Sequence, residues 1–349
     1  MQPFFLSLKS FVTSRWGVAC AIVLAMLLTV TAALLLPFAK TADSEHIYIR
    51  HADTADSVYR QLDTHAAGPL RLWAIKALCL VSNYSGHVRP GCYTTGHGSS
   101  TWAVWRKLRG GLQSPVRLVV PACVRTPEEM AERLAAQIEP DTQSLLAALY
   151  DPAFMKAHEL DSATAVTLFI PDTYEVYWPI SPAQVMDKLA GAYKRWWTTE
   201  RVEAARKQQL TPHMAMTLAS IVEQETQALD ERAMVAGMYL NRLHRGMKLQ
   251  ADPTVKFALR DFGLKRILHV HLQADSPYNT YRHEGLPPGP ICVPSLSAIE
   301  SVLHPVDHNY LYMCAKEDFS GTHRFAVTYD EHLVNAGRYA AALDKAHIK

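Results

Sequence analysis

From Gly17 to Ala39 the chain carries no charged residue, and its centre reads Ala-Ile-Val-Leu-Ala-Met-Leu-Leu. Such a run is long enough to cross a bilayer as a helix, and it divides everything else into what lies before it and what lies after. Lys9 and Arg15 precede it, Trp16 marks the entry, and mixed charge follows from Lys40 to Glu45. The excess of positive charge on the first side places residues 1–15 in the cytoplasm and the chain beyond about residue 40 outside. A cleaved signal peptide is the competing reading. Its apolar core is usually shorter, and the small-residue cleavage pattern is weak here. No second run of this length follows, so one pass and a large outer domain are expected.

The 349 residues are 49% hydrophobic, enough for one large core or two modest ones. Net charge is only +2 and no basic run interleaves with aromatics, so nucleic acid is not an expected partner. Five cysteines beyond the span (Cys79, Cys92, Cys123, Cys292, Cys314) contain no Cys-x-x-Cys pair, and the sixteen histidines no His-Glu-x-x-His. Neither a zinc ribbon, a dense disulfide framework nor another metal site is indicated.

Local patterns describe an α+β outer region. His46–Arg50 alternates like a strand, Ser57–Leu62 suggests a short helix, and Leu70–Leu80 is apolar at helical spacing. Gly91–Thr94 resembles a second strand, and Ser100 caps an amphipathic helix that ends at Gly110-Gly111. Val116–Val120 is the next strand, and Thr126 caps a helix with Met130, Leu134 and Ile138 inward. Ile170–Tyr177 reads as a loop entering a strand. A long helical pattern from Pro182 to about Gln209 carries Trp196-Trp197, a pair that suits packing better than sugar stacking.

The chemistry concentrates in Leu218-Ala-Ser-Ile-Val-Glu-Gln-Glu-Thr226, a helix whose start is signalled by Thr211-Pro212. At about 100° per residue, Met214, Leu218, Ile221 and Val222 form one stripe, Glu225 falls in its middle, and Glu223 points away. A carboxyl among apolar neighbours is costly to ionise; its raised pKa suits a general acid near neutral pH. The same spacing also fits a stripe that ends at Val222 and leaves both glutamates in water. Downstream, Leu249–Val255, Tyr278-Asn-Thr-Tyr281 and Gly285-Leu-Pro-Pro-Gly-Pro-Ile291 are rich in turn formers, aromatics and amides. Each alone is an ordinary loop; together they offer what a carbohydrate groove needs.

In this order, these segments closely resemble the MltG (YceG-like) family of endolytic murein transglycosylases. Asn241-Arg242-Leu243, Gly246–Val255, Arg117-Leu-Val-Val-Pro, Ile170-Pro-Asp-Thr-Tyr, His304-Pro305, Tyr310-Leu-Tyr312 and His323-Arg-Phe325 add to the likeness. It is strong over residues 165–345 and weaker over 45–165. The resemblance implies a lyase that cuts the N-acetylmuramic acid–N-acetylglucosamine bond of nascent peptidoglycan strands and leaves 1,6-anhydro ends. Glu225, followed by Thr226, is the expected catalytic residue, with Glu223 as fallback. Gln250, Asp252, Tyr278, Asn279 and Tyr281 are the expected substrate-binding residues, with no cofactor. The expected layout is a cytoplasmic segment (1–15), a transmembrane helix (16–39), a LysM-like module (45–115) and a catalytic domain (116–349). The protein is expected in the inner membrane, facing the periplasm and associating with cell-wall synthases. Two rivals stay open: a hydrolase using Asp252 or Asp172 as a second carboxylate, and a non-catalytic peptidoglycan-binding scaffold.

Overall fold

The computed structural model describes residues 15–40, 45–95, 98–264 and 266–346. Helix α1 (Arg15–Leu35) contains an 18-residue window of mean hydropathy 2.7 and is long and apolar enough to cross a membrane. It stops short of the end of the apolar run because Pro37 cannot continue a helix and disfavours helical geometry at Leu36. Phe38 instead turns inward and is fully buried. Its N–H bonds Ser99 O at 2.8 Å and its carbonyl accepts from Ala67 N at 2.7 Å, so Pro37–Ala39 belong to the folded module that follows rather than to the expected 16–39 span.

That module is a β-α-α-β-α arrangement. Strand β1 (Glu45–Ile49) pairs antiparallel with β2 (Gly91–Thr95), Ile47 opposite Tyr93. Helices α2 (Ala55–His65) and α3 (Pro69–Val81) lie between them in sequence, and α4 (Thr101–Gly110) follows. The starts and stops are chemical. Thr54 and Ser100 accept from the N–H groups of Ser57 and Ala103, and Gly111 ends α4 at φ +68°, where a side chain would be strained. Ile47, Ile49, Val58, Leu62, Ile75, Tyr84, Tyr93, Val104 and Leu108 fill the core.

The chain divides into two compact units, one comprising residues up to Arg117 with Glu175–Ile180, the other Leu118–Tyr174 with Ser181–Lys349. The division falls within β3 (Pro115–Val120) and β4 (Asp172–Tyr177), which form a two-stranded sheet. The second unit is mostly helical: α5 (Pro127–Ala135), α6 (Thr142–Leu149), α7 (Pro152–Ala157), α8 (Pro182–Trp196), α9 (Thr199–Lys207), α10 (Pro212–Glu225), α11 (Arg232–His244), α12 (Asp252–Leu259) and α13 (Leu296–Leu303). An antiparallel hairpin, β5 (Tyr312–Ala315) with β6 (His323–Ala326), and the long α14 (Tyr329–Lys345) complete it.

Two expectations are corrected here. The pattern from Pro182 to Gln209 is two helices, because Trp197 leaves helical geometry and Thr198 caps α9 through Arg201 N. Trp197 is buried, and Trp196 packs on the core with the Arg201 guanidinium 4.3 Å from its ring centroid, so both rings pack. Second, α10 is not amphipathic. Every residue from Ala215 to Glu223 is buried, while Met214 is 39% exposed. The helix is the axis of the core, with α11 and α13 among its neighbours.

Candidate active site

Glu225 is the last residue of α10. Thr226 caps the helix in an extended conformation, its N–H on Val222 O, and its hydroxyl accepts from Ala228 N at 3.1 Å. The Glu-Thr pair thus has a local meaning: threonine turns the chain out at the point where the carboxyl must emerge. A helix C-terminus carries partial negative charge and is a poor place for an anion. Burial raises the Glu225 pKa from 4.5 to about 7; Asp252 adds to the rise, and the Tyr239 hydrogen bond and Lys256 oppose it. Tyr239 Oη donates to Glu225 Oε1 at 2.8 Å. Tyr239 is itself buried, with its phenol pushed well above the usual range, so it stays a donor at any working pH.

Glu223 is not the solvated residue that the stripe suggested. It is 4% exposed and ion-paired to Arg232 at 2.7 Å. Its second oxygen accepts from Ser295 N at 3.0 Å and from the Ser295 hydroxyl, while Arg232 also donates to Ser295 and Ser297. Burying that charge is tolerable because a buried guanidinium and two further donors, the Ser295 N–H and hydroxyl, meet it. The pair ties α10 to the start of α11 and to the loop before α13, and Glu223 does not line the cleft that Glu225 faces.

That cleft has a volume of about 470 Å³. Gln250, Asp252 and Tyr281 line it together with Glu225. Asp252 opens α12 and accepts from Tyr281 Oη at 2.6 Å. Gln250 sits at φ +51° and accepts from Arg242 Nη2 at 2.6 Å. Tyr278 and Asn279 are not brought to the cleft. Tyr278 packs on Phe257 with ring centroids 4.7 Å apart. Asn279 is fully buried, its amide donating to Leu272 O and Ala274 O at 2.9 and 2.8 Å and accepting from Tyr281 N at 3.1 Å. It shapes the loop that presents Tyr281, and no group is left over for a ligand. Asp172 is exposed on β4, outside the cleft lining.

Sequence reasoning missed Tyr239 and Arg242. They lie three apart on α11, the spacing that puts two side chains on one helical face, and that was the available signal. Arg242 Nε and Nη1 bond Lys248 O and Leu311 O at 2.9 and 3.0 Å, so one guanidinium joins the Gln250 loop to the segment entering β5. The opposite wall, with Tyr312, His323, Tyr329 and His332, comes from the hairpin and the start of α14. His323 is held by Glu231 at 3.0 Å. Burial and the nearby Arg242 keep His332 below the usual histidine range.

The model of the YceG-like family matches residues 47–338. A Bacillus subtilis protein named endolytic murein transglycosylase is 40% identical over 127 residues, 36% of this chain and 34% of that one. A protein of the same name from Streptococcus pneumoniae (strain D39) is 28% identical over 217 residues, 60% of this chain and 39% of that one. The matched regions thus span between a third and two fifths of these relatives. A crystal structure of a YceG-like protein from Listeria monocytogenes aligns over 84% of this chain and 99% of its own, with TM-score 0.56 and 26% identity.

Proposed function

The chain belongs to the YceG-like family, and from that premise we propose that it is an endolytic lytic transglycosylase of peptidoglycan with Glu225 as its acid and base. The observation that carries the proposal is a carboxyl held near neutrality, at about 7, at the edge of an open cleft and gripped by one phenol. The relatives' shared name supplies the substrate class.

Glu225, protonated in the resting site, gives its proton to the oxygen joining N-acetylmuramic acid to N-acetylglucosamine as the C1–O bond breaks. The resulting carboxylate takes the proton of the muramyl C6 hydroxyl, whose oxygen bonds C1 and closes the 1,6-anhydro ring. The proton returns to Glu225 and no water is consumed. One carboxyl therefore suffices where a hydrolase needs two. Tyr239 steadies the transient carboxylate without itself ionising. Gln250, Asp252 and Tyr281 line the same cleft, which supports a role for them in taking sugar hydroxyls.

Helix α1 serves as a single-pass anchor in the inner membrane, with the chain beyond it in the periplasm where new strands emerge, in reach of cell-wall synthases. The β-α-α-β part of the first unit acts as a LysM-like glycan contact. The hydrolase reading keeps one observation in its favour, Asp252 in the same cleft, although Tyr281 occupies one of its oxygens. Full-length protein incubated with glycan strands should release muropeptides with anhydro ends, and Glu225→Gln should release none. Cleavage persisting in that variant overturns the assignment, and reducing ends from the wild type favour the hydrolase.

A further inference from the structure

Helix α3 (Pro69–Val81) is apolar on two opposite faces. Leu72, Ile75 and Cys79 turn into the module, where Ile75 and Cys79 are buried. Leu70, Trp73, Ala74, Ala77, Leu78 and Val81 recur at three- and four-residue spacing and form a second stripe on the other side. That stripe is only partly covered: Leu70 is 48%, Trp73 74% and Val81 89% exposed. A module whose core is already complete has no folding reason for a second greasy face.

The second stripe meets α1. Thr29, Val30, Ala33 and Leu34 form the opposite side of a groove of about 390 Å³, lined almost wholly by apolar atoms. These residues belong to the last two turns of α1. At about 1.5 Å per residue, the 21 residues of α1 measure about 31 Å, the thickness of a bilayer's hydrocarbon. If α1 spans, the groove opens at the outer edge of that hydrocarbon, the level that tryptophan favours. Arg71 and Lys76 flank the stripe on α3, Arg71 Nη1 donating to Ala67 O at 2.7 Å and Lys76 Nζ lying 5.8 Å from the Tyr59 ring centroid, so the cations edge the apolar face without entering it. Charge agrees: residues 45–117 carry nine Lys and Arg against four Asp and Glu, in a chain whose net charge is only +2. Anionic lipid attracts such a module.

We propose that the second face of α3 is a lipid-contact surface, with Leu70, Trp73 and Val81 set among acyl chains of the outer leaflet beside α1, so that the module lies on the bilayer instead of hanging from a single tether. The proposal rests on the anchor reading of α1. The occupant is lipid because the groove offers almost no polar group by which a particular protein would be selected, and because its surface continues the apolar surface of α1.

The test uses the full chain in vesicles of phosphatidylethanolamine and phosphatidylglycerol, with and without lipids brominated on their acyl chains. Trp73→Phe and Trp16→Phe change exposed rings and leave the core untouched. Subtracting each variant's emission from the wild type isolates Trp73 and Trp16. Both components should lose at least half of their intensity to bromine. Trp16 quenched with Trp73 unquenched overturns the lipid contact and leaves the anchor standing. Neither quenched overturns both. Trp73 quenched without Trp16 keeps the contact and removes the span. A second copy seated in the groove would shield Trp73 from bromine and give a crosslinked dimer, which also overturns the proposal.

Discussion

Replacing Glu225 with glutamine should stabilise the protein at alkaline pH and leave it unchanged in acid. The wild-type carboxyl titrates at about 7 when folded and at the ordinary 4.5 when unfolded. Between those values the folded state holds a proton that the unfolded state has released, so stability falls as pH rises. Each pH unit is worth about 1.4 kcal/mol, so the loss reaches about 3 kcal/mol once the pH passes 7, and persists above it. Below about pH 4.5 both states are protonated and the term vanishes. Glutamine keeps the shape, still accepts from Tyr239, and has nothing to ionise. Urea unfolding of wild type and variant in detergent, at about pH 4 and about pH 8.5, measures the difference directly. The variant should be more stable by up to about 3 kcal/mol at the higher pH and equal at the lower. Equal stability at both, or a less stable variant in alkali, would refute a buried, costly carboxylate.

Tyr239→Phe removes a hydrogen bond to the charged form of Glu225, worth about 1.5–3 kcal/mol. The carboxyl should titrate higher still, and the alkaline limb of the pH–rate profile should move up by about one to two units; a limb that stays or moves down contradicts the assignment. Arg232→Met leaves Glu223 buried without its counterion and should cost about 3–5 kcal/mol in urea unfolding, more than the double variant Glu223→Gln/Arg232→Met. Asn279→Ala strands two carbonyls and one N–H, so it should lower stability by about 1–3 kcal/mol while strand affinity at low temperature holds. Gln250→Ala should do the reverse, weakening strand binding measured by co-sedimentation more than it weakens the fold.

What could be read from the sequence was local. Caps at Ser100, Thr126 and Thr211 act within three residues and are where the pattern placed helix starts. The seven-residue interval from Leu218 to Glu225 raised that carboxyl as a candidate, but the same spacing also fitted a solvated one, and the resemblance to the YceG-like family made the choice. What could not be read depends on partners far along the chain. Glu223 is buried because Arg232 and Ser295, nine and seventy-two positions on, meet it there. Asn279 and Gln250 are both amides in polar turns, and only the fold shows that one is consumed by its own loop while the other faces the cleft. The far wall, from Tyr312 to His332, has no periodicity that connects it to Glu225. The break at Trp197-Thr198 was hidden because the apolar spacing continues through it.

The proposed cut turns on a single group that returns the proton it lends, with the sugar's own hydroxyl as nucleophile. Cleavage in water enriched in heavy oxygen separates this from every route through water. Products from the wild type should carry no heavy oxygen at the new muramyl C1 end and should appear as the anhydro form. Heavy oxygen at that carbon, in amounts matching the bonds cut, would contradict it.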